Sequence, residues 1–342
     1  MKKYFLYQDY GNENNAGPKA KNDVNKILDK KDFRGISFKI PYNQYIRPLV
    51  AKHIWKKRLR NLNNSLVVCQ YPFYSHVIEK SLVREIIFQR KKYKDNKYVA
   101  FIHDIESLRQ NPDDKEHIDR ELNILNEFDV LVCHNLCMKQ WLIENGITSK
   151  IYILNLFDYL SKSKFEINNQ TNINYKVLNF AGNLKKANFL REPFTVLDIN
   201  IYGPNYDKNF NRKNYHYKGE FSPEEIPDHI NNGFGLIWDG KNSKSPTGAY
   251  GNYLRYITPH KFSLYLRSGV PVIAWKDSAI ASYIEDNSLG FVIESLDEID
   301  QLISNMTYEK YVEMKNNCLE FSQKLGNGFF TKQVLKKIET ES

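Results

Sequence analysis

The chain has 342 residues, of which 42% are hydrophobic and 26% charged. That length allows two domains, and the composition is ordinary globular usage, which excludes a disordered, collagen-like or coiled-coil chain. The formal net charge of +9 makes nucleic acid, anionic membrane and phosphorylated ligands the partner classes to weigh first.

Short apolar or aromatic runs alternate with longer amphipathic ones, the pattern of parallel sheets covered by helices. Strands are predicted at 3–8, 35–39, 66–70, 98–103, 129–133 and 151–154, separated by helices at 18–31, 43–60, 76–93, 115–126 and 135–145. This first half reads as one doubly wound domain. Residues 160–175 are polar and rich in Asn, which marks a linker. The alternation then restarts, with strands at 176–181, 196–202, 233–237, 270–274 and 290–293 and helices at 184–191, 223–231, 258–268, 277–286, 295–303 and 307–323. The expected domains are therefore 1–160 and 161–325, followed by a C-terminal helix in 326–342 that could return across the boundary.

The charge is local. Residues 1–160 hold 27 Lys and Arg against 19 Asp and Glu, and the remainder holds 22 against 21. Within 47–94, 12 basic residues face only Glu79 and Glu85. The four cysteines, Cys69, Cys133, Cys137 and Cys318, are too few and too scattered for a disulfide framework, so a reduced compartment is expected. Cys133, His134 and Cys137 lack the spacing of a zinc knuckle, and the VLVC run reads as a buried strand. Gln8 and Asp9 interrupt the first apolar run before a signal-peptide core could form. No window approaches the ~18 apolar residues of a spanning helix. A cytoplasmic protein is expected, with contact at the inner face of the cell membrane through segment 47–94 as a further option.

In open parallel sheets ligands bind beyond the carboxyl ends of strands, so the loops after each predicted strand carry the information. After the first strand, Asn15 and Gly17 could present amides to an anion at a helix N-terminus, or serve only as turn residues. After the strand at 98–103, His103 and Asp104 could supply a general base; the alternative is a satisfied core histidine and a helix cap. The strand at 176–181 runs into Gly182, Asn183, Lys185 and Lys186, a permissive glycine and two cations at a strand-to-helix turn, which suits a diphosphate. Tyr202-Gly203-Pro204 reads as a tight turn after an apolar strand, Tyr217-Lys218-Gly219-Glu220 precedes the helix at 223, and Trp238-Asp239-Gly240 ends the strand at 233–237.

The densest feature is GAYGNYLRYITPHKFSLYLRSGVPVIAW at 248–275. Thr258 reads as an N-cap with Pro259 at the first helical position, so His260 and Lys261 fall in the first turn. A basic pair there opposes the helix dipole unless an anion is present. Gly269 suits the left-handed position that ends the helix. Beyond the next strand, Asp277 and Ser278 could cap a helix or bond a ribose hydroxyl.

These residues carry a resemblance. FAGNLKK (180–186), IYGP (201–204), YHYKGEF (215–221), GFGLIWDG (233–240), the 248–275 run and FIHDIESLR (101–109) together resemble the bacterial glucosyltransferase-3-like family. Its members elongate glycans on serine-rich adhesins, and relatives are described as galactofuranosyltransferases. The resemblance implies a GT-B fold, two facing Rossmann-like domains, with the acceptor bound mainly by the first and a UDP-sugar by the second. It implies a hexosyltransferase that needs no metal or other cofactor, because cations and helix N-termini stabilise the leaving diphosphate. Lys185 or Lys186 and Lys261 would meet the diphosphate. Asn183, Tyr217 and the loop 276–279 would surround uridine and ribose, and Asn15–Gly17 would reach the donor. In an inverting transfer His103 or Asp104 would deprotonate the acceptor hydroxyl. Many members carry Asn where this chain has Ile257. Glucose is the expected sugar, on a GlcNAc-modified protein; galactofuranose or N-acetylglucosamine on a lipid-linked or polysaccharide acceptor is the alternative. Related enzymes imply a homo-oligomer. A non-catalytic nucleotide-sugar-binding subunit is the reading from another class. Nucleic-acid binding is not expected, since no reading motif accompanies the basic segment.

Overall fold

A computed structural model of the chain describes residues 1–9, 16–163, 174–207, 210 and 212–341. It divides into two compact units, Met1–Asn155 with Thr331–Ser342, and Leu156–Phe330.

Unit 1 runs β1 (Lys2–Gln8), α1 (Ala16–Asp29), β2 (Arg34–Phe38), α2 (Arg47–Arg58), β3 (Ser65–Tyr71), α3 (His76–Lys92), β4 (Lys97–Ile102), α4 (Glu106–Gln110), α5 (Lys115–Leu125), β5 (Val130–Cys133), α6 (Leu136–Glu144) and β6 (Lys150–Ile153). All its strand pairs are parallel, in the order β2-β1-β3-β4-β5-β6. Parallel strands need covered crossovers, and a sheet covered on both faces needs strands that are apolar throughout. VLVC meets that demand and SLVVCQY departs from it only at Ser65 and Gln70, and every residue of β3 and β5 is buried. Short polar side chains start the helices: Asp114 accepts the His117 amide at 3.0 Å and Asn135 accepts the Met138 amide at 3.0 Å. The predicted helix at 43–60 begins later, at Arg47, because Asn43 Oδ1 accepts the Tyr45 amide at 2.9 Å and closes a turn first.

Unit 2 runs β7 (Val177–Ala181), two 3-10 turns (Leu184–Lys186 and Asn188–Arg191), β8 (Asp198–Tyr202), β9 (Tyr215–Gly219), α7 (Ile226–His229), β10 (Phe234–Ile237), α8 (Gly248–Tyr253), α9 (His260–Arg267), β11 (Val272–Trp275), α10 (Ala281–Asp286), β12 (Gly290–Ile293), α11 (Ile299–Ser304) and α12 (Tyr308–Gly326). Its strands are again parallel, in the order β12-β11-β10-β7-β8-β9. The core lies around Phe180, Phe189, Phe234, Trp238 and Tyr311.

Three readings change here. The helix expected at 184–191 is two 3-10 turns: Asn183 captures the Lys185 amide at 3.0 Å, and Glu192, forced extended before Pro193, stops any continuation. Tyr215–Gly219, for which no element was expected, is an edge strand paired with β8. Residues 156–160, read as the tail of the first domain, lie in unit 2, because Leu156, Phe157 and Tyr159 are buried there and Asp158 Oδ1 accepts the Phe330 amide at 3.1 Å. The last helix, α13 (Phe329–Thr340), ends in unit 1, where Glu339 pairs with Lys3 at 2.7 Å and Glu341 meets Lys150 and the Tyr152 hydroxyl.

Candidate functional site

In each sheet the strand order reverses once, between β1 and β3 in unit 1 and between β7 and β10 in unit 2. Such reversals open a crevice at the carboxyl ends, where ligands of this architecture bind.

The unit 2 crevice is built by a tyrosine. Strands β7 and β10 pair only at Leu178–Phe234 and Asn179–Gly235, then part. Tyr265 of α9, fully buried, reaches into the gap: its hydroxyl accepts from the Ala181 amide at 2.9 Å and donates to the Leu236 carbonyl at 3.4 Å. Burial holds that hydroxyl protonated well above the ordinary tyrosine range. The ring has room only because residue 235 is Gly, where a Cβ would stand 2.2 Å from Tyr265 Cγ.

The same helix delivers Lys261. Its Nζ stands 3.3 Å from Asp239 Oδ1, just past β10, and 4.6 Å from the centre of the Phe180 ring. A Cβ on Gly182 would lie 3.1 Å from Lys261 Cε, so the backbone after β7 passes directly by this cation. Gly203 then packs against Gly182: its φ is +126° and a Cβ would be 2.1 Å from the Gly182 carbonyl oxygen, so no larger residue fits. Tyr217 donates to the Gly203 carbonyl at 3.1 Å and stacks on Tyr206 at 4.2 Å. Asn205 Nδ2 donates to Asn183 Oδ1 at 2.9 Å. Gly182, Asn183, Tyr217 and Lys261 thus converge on one crevice. Lys185 and Lys186 stand on the adjoining turn, exposed, with Lys186 Nζ 4.6 Å over the Tyr250 ring.

The start of α9 differs in detail from its sequence reading. The residue flanking the helix is Pro259, at φ −63° and ψ 139°, so the helix opens at His260 and Thr258 lies outside it, buried. Gly269, at φ +66°, ends the helix as read. His260 stacks on Tyr159 at 4.9 Å, with Phe157 edge-on at 6.5 Å. Ile257 packs against the core cluster. Asp277 and Ser278 are occupied locally: Arg255, lying 4.3 Å over the Trp275 ring, pairs with Asp277 at 3.1 Å, and the Ser278 hydroxyl donates to the Trp275 carbonyl at 2.7 Å. The helix after them opens at Ala281, with no side-chain cap.

In unit 1, His103 and Asp104 follow β4 beside the crevice. Gln70 Nε2 donates to the Lys21 carbonyl at 3.0 Å and to Asn25 Oδ1, which turns Gln70 Oε1 toward His103 Nε2 at 2.7 Å. The proton therefore sits on Nε2, and the imidazole is 9% exposed. Asp104 accepts from the Tyr74 hydroxyl at 3.1 Å and faces Arg109 at 3.7 Å. Lys21, pushed down to about 8 by burial, donates to the Pro72 carbonyl and lies 4.7 Å over the Tyr74 ring. Next to this group is a polar cavity of about 500 Å³ lined by Tyr71, Tyr74, Glu79, Glu106, Arg109 and Glu121 among others. Burial pushes Glu79 up to about 7, although it accepts the Phe73 amide at 2.7 Å. Asn15 lies outside the described residues, and the backbone of Gly17 falls in the first turn of α1. A groove of about 360 Å³ along β8 and β9, past Asn179, Asn200 and His216, holds none of the expected site residues.

Cys133 is buried in β5 and Cys137 exposed on α6, and burial pushes His134 down to about 4. Among the described residues no group of three or more His, Cys, Asp or Glu is placed to hold a metal ion. Asp239, Gly203 and Tyr265 were not singled out in the sequence as site residues. The WDG and YGP turns marked the first two, while Tyr265 is one more residue of the 248–275 run.

Comparison with known proteins gives the following. Family models described as the glucosyltransferase 3-like N-terminal and C-terminal domains match residues 3–156 and 178–338. Beta-1,6-galactofuranosyltransferase WbbI of Escherichia coli strain K12 is 30% identical over 343 residues, covering 98% of each chain. Glucosyltransferase 3 of Streptococcus gordonii is 26% identical over 329 residues, 92% of each. Among solved structures, sucrose-phosphate synthase from Thermosynechococcus elongatus aligns over 100% of both chains with a TM-score of 0.65 at 9% identity. The E. coli trehalose-6-phosphate structure bound with UDP-2-fluoro glucose aligns over 98% of both at 0.64 and 9%. These likenesses show the GT-B fold.

Proposed function

The chain belongs to the glucosyltransferase 3-like family and is a glycosyltransferase of the GT-B fold, and we propose that it moves a hexose from a UDP-sugar to a glycan acceptor without a metal ion. The observation that carries this reading is Lys261 in the first turn of α9, beside Gly182 at the point where β7 and β10 part. A fixed cation and the free amides of a helix N-terminus are preorganised for the charge that builds on a departing diphosphate. UDP-2-fluoro glucose in a solved relative of the same fold supports the choice of nucleotide.

In this reading Lys261 takes the diphosphate and Asp239 holds the lysine in place before the donor arrives. Lys185 and Lys186 add charge from the adjoining turn, and Asn183 and Tyr217 face the nucleoside. Asp277 and Ser278 hold the neighbouring loop in shape. The acceptor base is assigned to unit 1, to Asp104, whose side chain is 22% exposed, ahead of the more deeply buried His103. A carboxylate at the end of a strand can accept the acceptor hydroxyl proton.

Glucose is the first sugar to test, from the family description. Galactofuranose is the second reading, because identity to WbbI is 30% against 26% for glucosyltransferase 3. The test is a donor screen by UDP release with UDP-glucose, UDP-galactofuranose and UDP-N-acetylglucosamine. Product mass is then measured on a GlcNAc-bearing peptide and on a lipid-linked sugar. The expected result is turnover with one UDP-hexose, unchanged by EDTA. UDP binding without turnover on either acceptor class would instead make the protein a nucleotide-sugar-binding subunit.

A further inference from the structure

The basic segment at 47–94 plays no part in the donor chemistry, and the structure leaves much of its charge exposed on and next to α2 and α3 of unit 1. Trp55 of α2 is fully buried and donates Nε1 to the Ile78 carbonyl of α3 at 2.9 Å, which fixes the two helices together. They expose Lys52, Lys56 and Lys57 on α2 and Lys80 and Arg84 on α3, with Arg60 exposed just past the end of α2. Among the described residues none of these six has a carboxylate within 4.0 Å. Cations elsewhere do: Lys3, Arg109, Arg191, Lys244 and Arg255 each meet one. Of the segment's two acids, Glu79 is buried and Glu85 accepts from Gln89 at 2.7 Å, and neither pairs with any of these six cations.

Apolar groups are exposed on and next to the same helices: Leu49 of α2 is 74% exposed, Phe88 of α3 59%, and Tyr42 and Tyr45, just before α2, 89% and 80%. Arg47 Nε donates to the Pro41 carbonyl at 2.9 Å and ties down the turn that carries Tyr42 and Tyr45.

We propose that this face docks the protein on an anionic lipid surface. Four of the six cations are lysines, compact charges on flexible stems, spread along two helices. That arrangement suits a diffuse negative surface better than one phosphate held at fixed geometry. Aromatic and aliphatic side chains beside such charges enter the headgroup boundary, where an amphipathic ring is at home. The contact is peripheral: among the described residues no helix is long and apolar enough to cross a membrane.

The experiment is sedimentation of the full chain with vesicles of phosphatidylglycerol and phosphatidylcholine mixed, against phosphatidylcholine alone. The wild type is expected to pellet with the anionic vesicles only, and to be released by high salt. Each cation removed should weaken partitioning about five-fold, so the Lys52→Glu, Lys56→Glu, Lys57→Glu variant should lose it. Leu49→Ser with Tyr45→Ser should weaken binding at constant charge, with circular dichroism showing both variants folded. Equal, negligible sedimentation with both vesicle types overturns the proposal. So does tighter retention on double-stranded DNA than on the anionic vesicles. A third contrary result is a fall in molar mass by light scattering in the Leu49 and Tyr45 variant with vesicle binding intact, which would make the face an interface between copies of the chain.

Discussion

Replacing Tyr265 by Phe removes one oxygen from the unit 2 crevice and keeps the ring that fills the space above Gly235. No cavity opens, so the cost comes from polar groups alone. The Ala181 amide loses a 2.9 Å acceptor and the Leu236 carbonyl a weaker 3.4 Å donor, both beside a side chain with no solvent exposure. Leaving one buried amide unsatisfied costs about 1–3 kcal/mol, which is roughly a 5–150-fold change in a local opening equilibrium. Native-state hydrogen exchange reads that equilibrium at the site, independent of how unit 1 unfolds. Tyr265→Phe is expected to raise exchange at Ala181 by that factor and to weaken UDP binding, because the strands that frame the crevice then part more easily. Unchanged protection at Ala181 would refute the idea that the hydroxyl holds the crevice.

Gly203→Ala places a methyl 2.1 Å from the Gly182 carbonyl at φ +126°, and the overpacking and backbone strain of about 1–3 kcal/mol should weaken UDP binding by calorimetry roughly 5–150-fold, while circular dichroism stays native. Glu79 is pushed up to about 7 from 4.5, so the folded state binds the extra proton in that window. The stability it contributes is full below 4.5 and is lost as pH rises through about 7. Glu79→Gln should flatten this fall in urea titrations across that range. Lys21 runs the other way: pushed down to about 8 from 10.5, it makes stability rise with pH across that interval, since there the unfolded chain holds more protons.

The parallel sheets were legible because buried parallel strands such as VVC, VAFI and VLVC are apolar without interruption, a signal that needs no tertiary information. Strand β9 was not, since Tyr-His-Tyr-Lys-Gly is an edge strand whose pairing with β8 alone makes it a strand. The site was legible where strand ends meet cations, at Gly182, Asn183 and Lys261. It was illegible where one side chain serves two strands. Nothing in HKFSLYLR says that Tyr265 rather than Tyr256 spans β7 and β10, and nothing in the WDG turn says that Asp239 pairs with a lysine 22 positions later. The Pro259 reading failed by one residue, because an extended ψ puts proline before the helix as readily as inside it.

The measurement that bears most directly on the central claim is UDP release from the UDP-sugar on which the wild type turns over, with Lys261→Ala compared against wild type under identical conditions. A charge-assisted contact to the diphosphate contributes about 1.5–3 kcal/mol, so kcat/KM should fall roughly 10–150-fold, with fold and acceptor binding retained. Wild-type kcat/KM in the Lys261→Ala protein would contradict the assignment of the leaving diphosphate to this crevice.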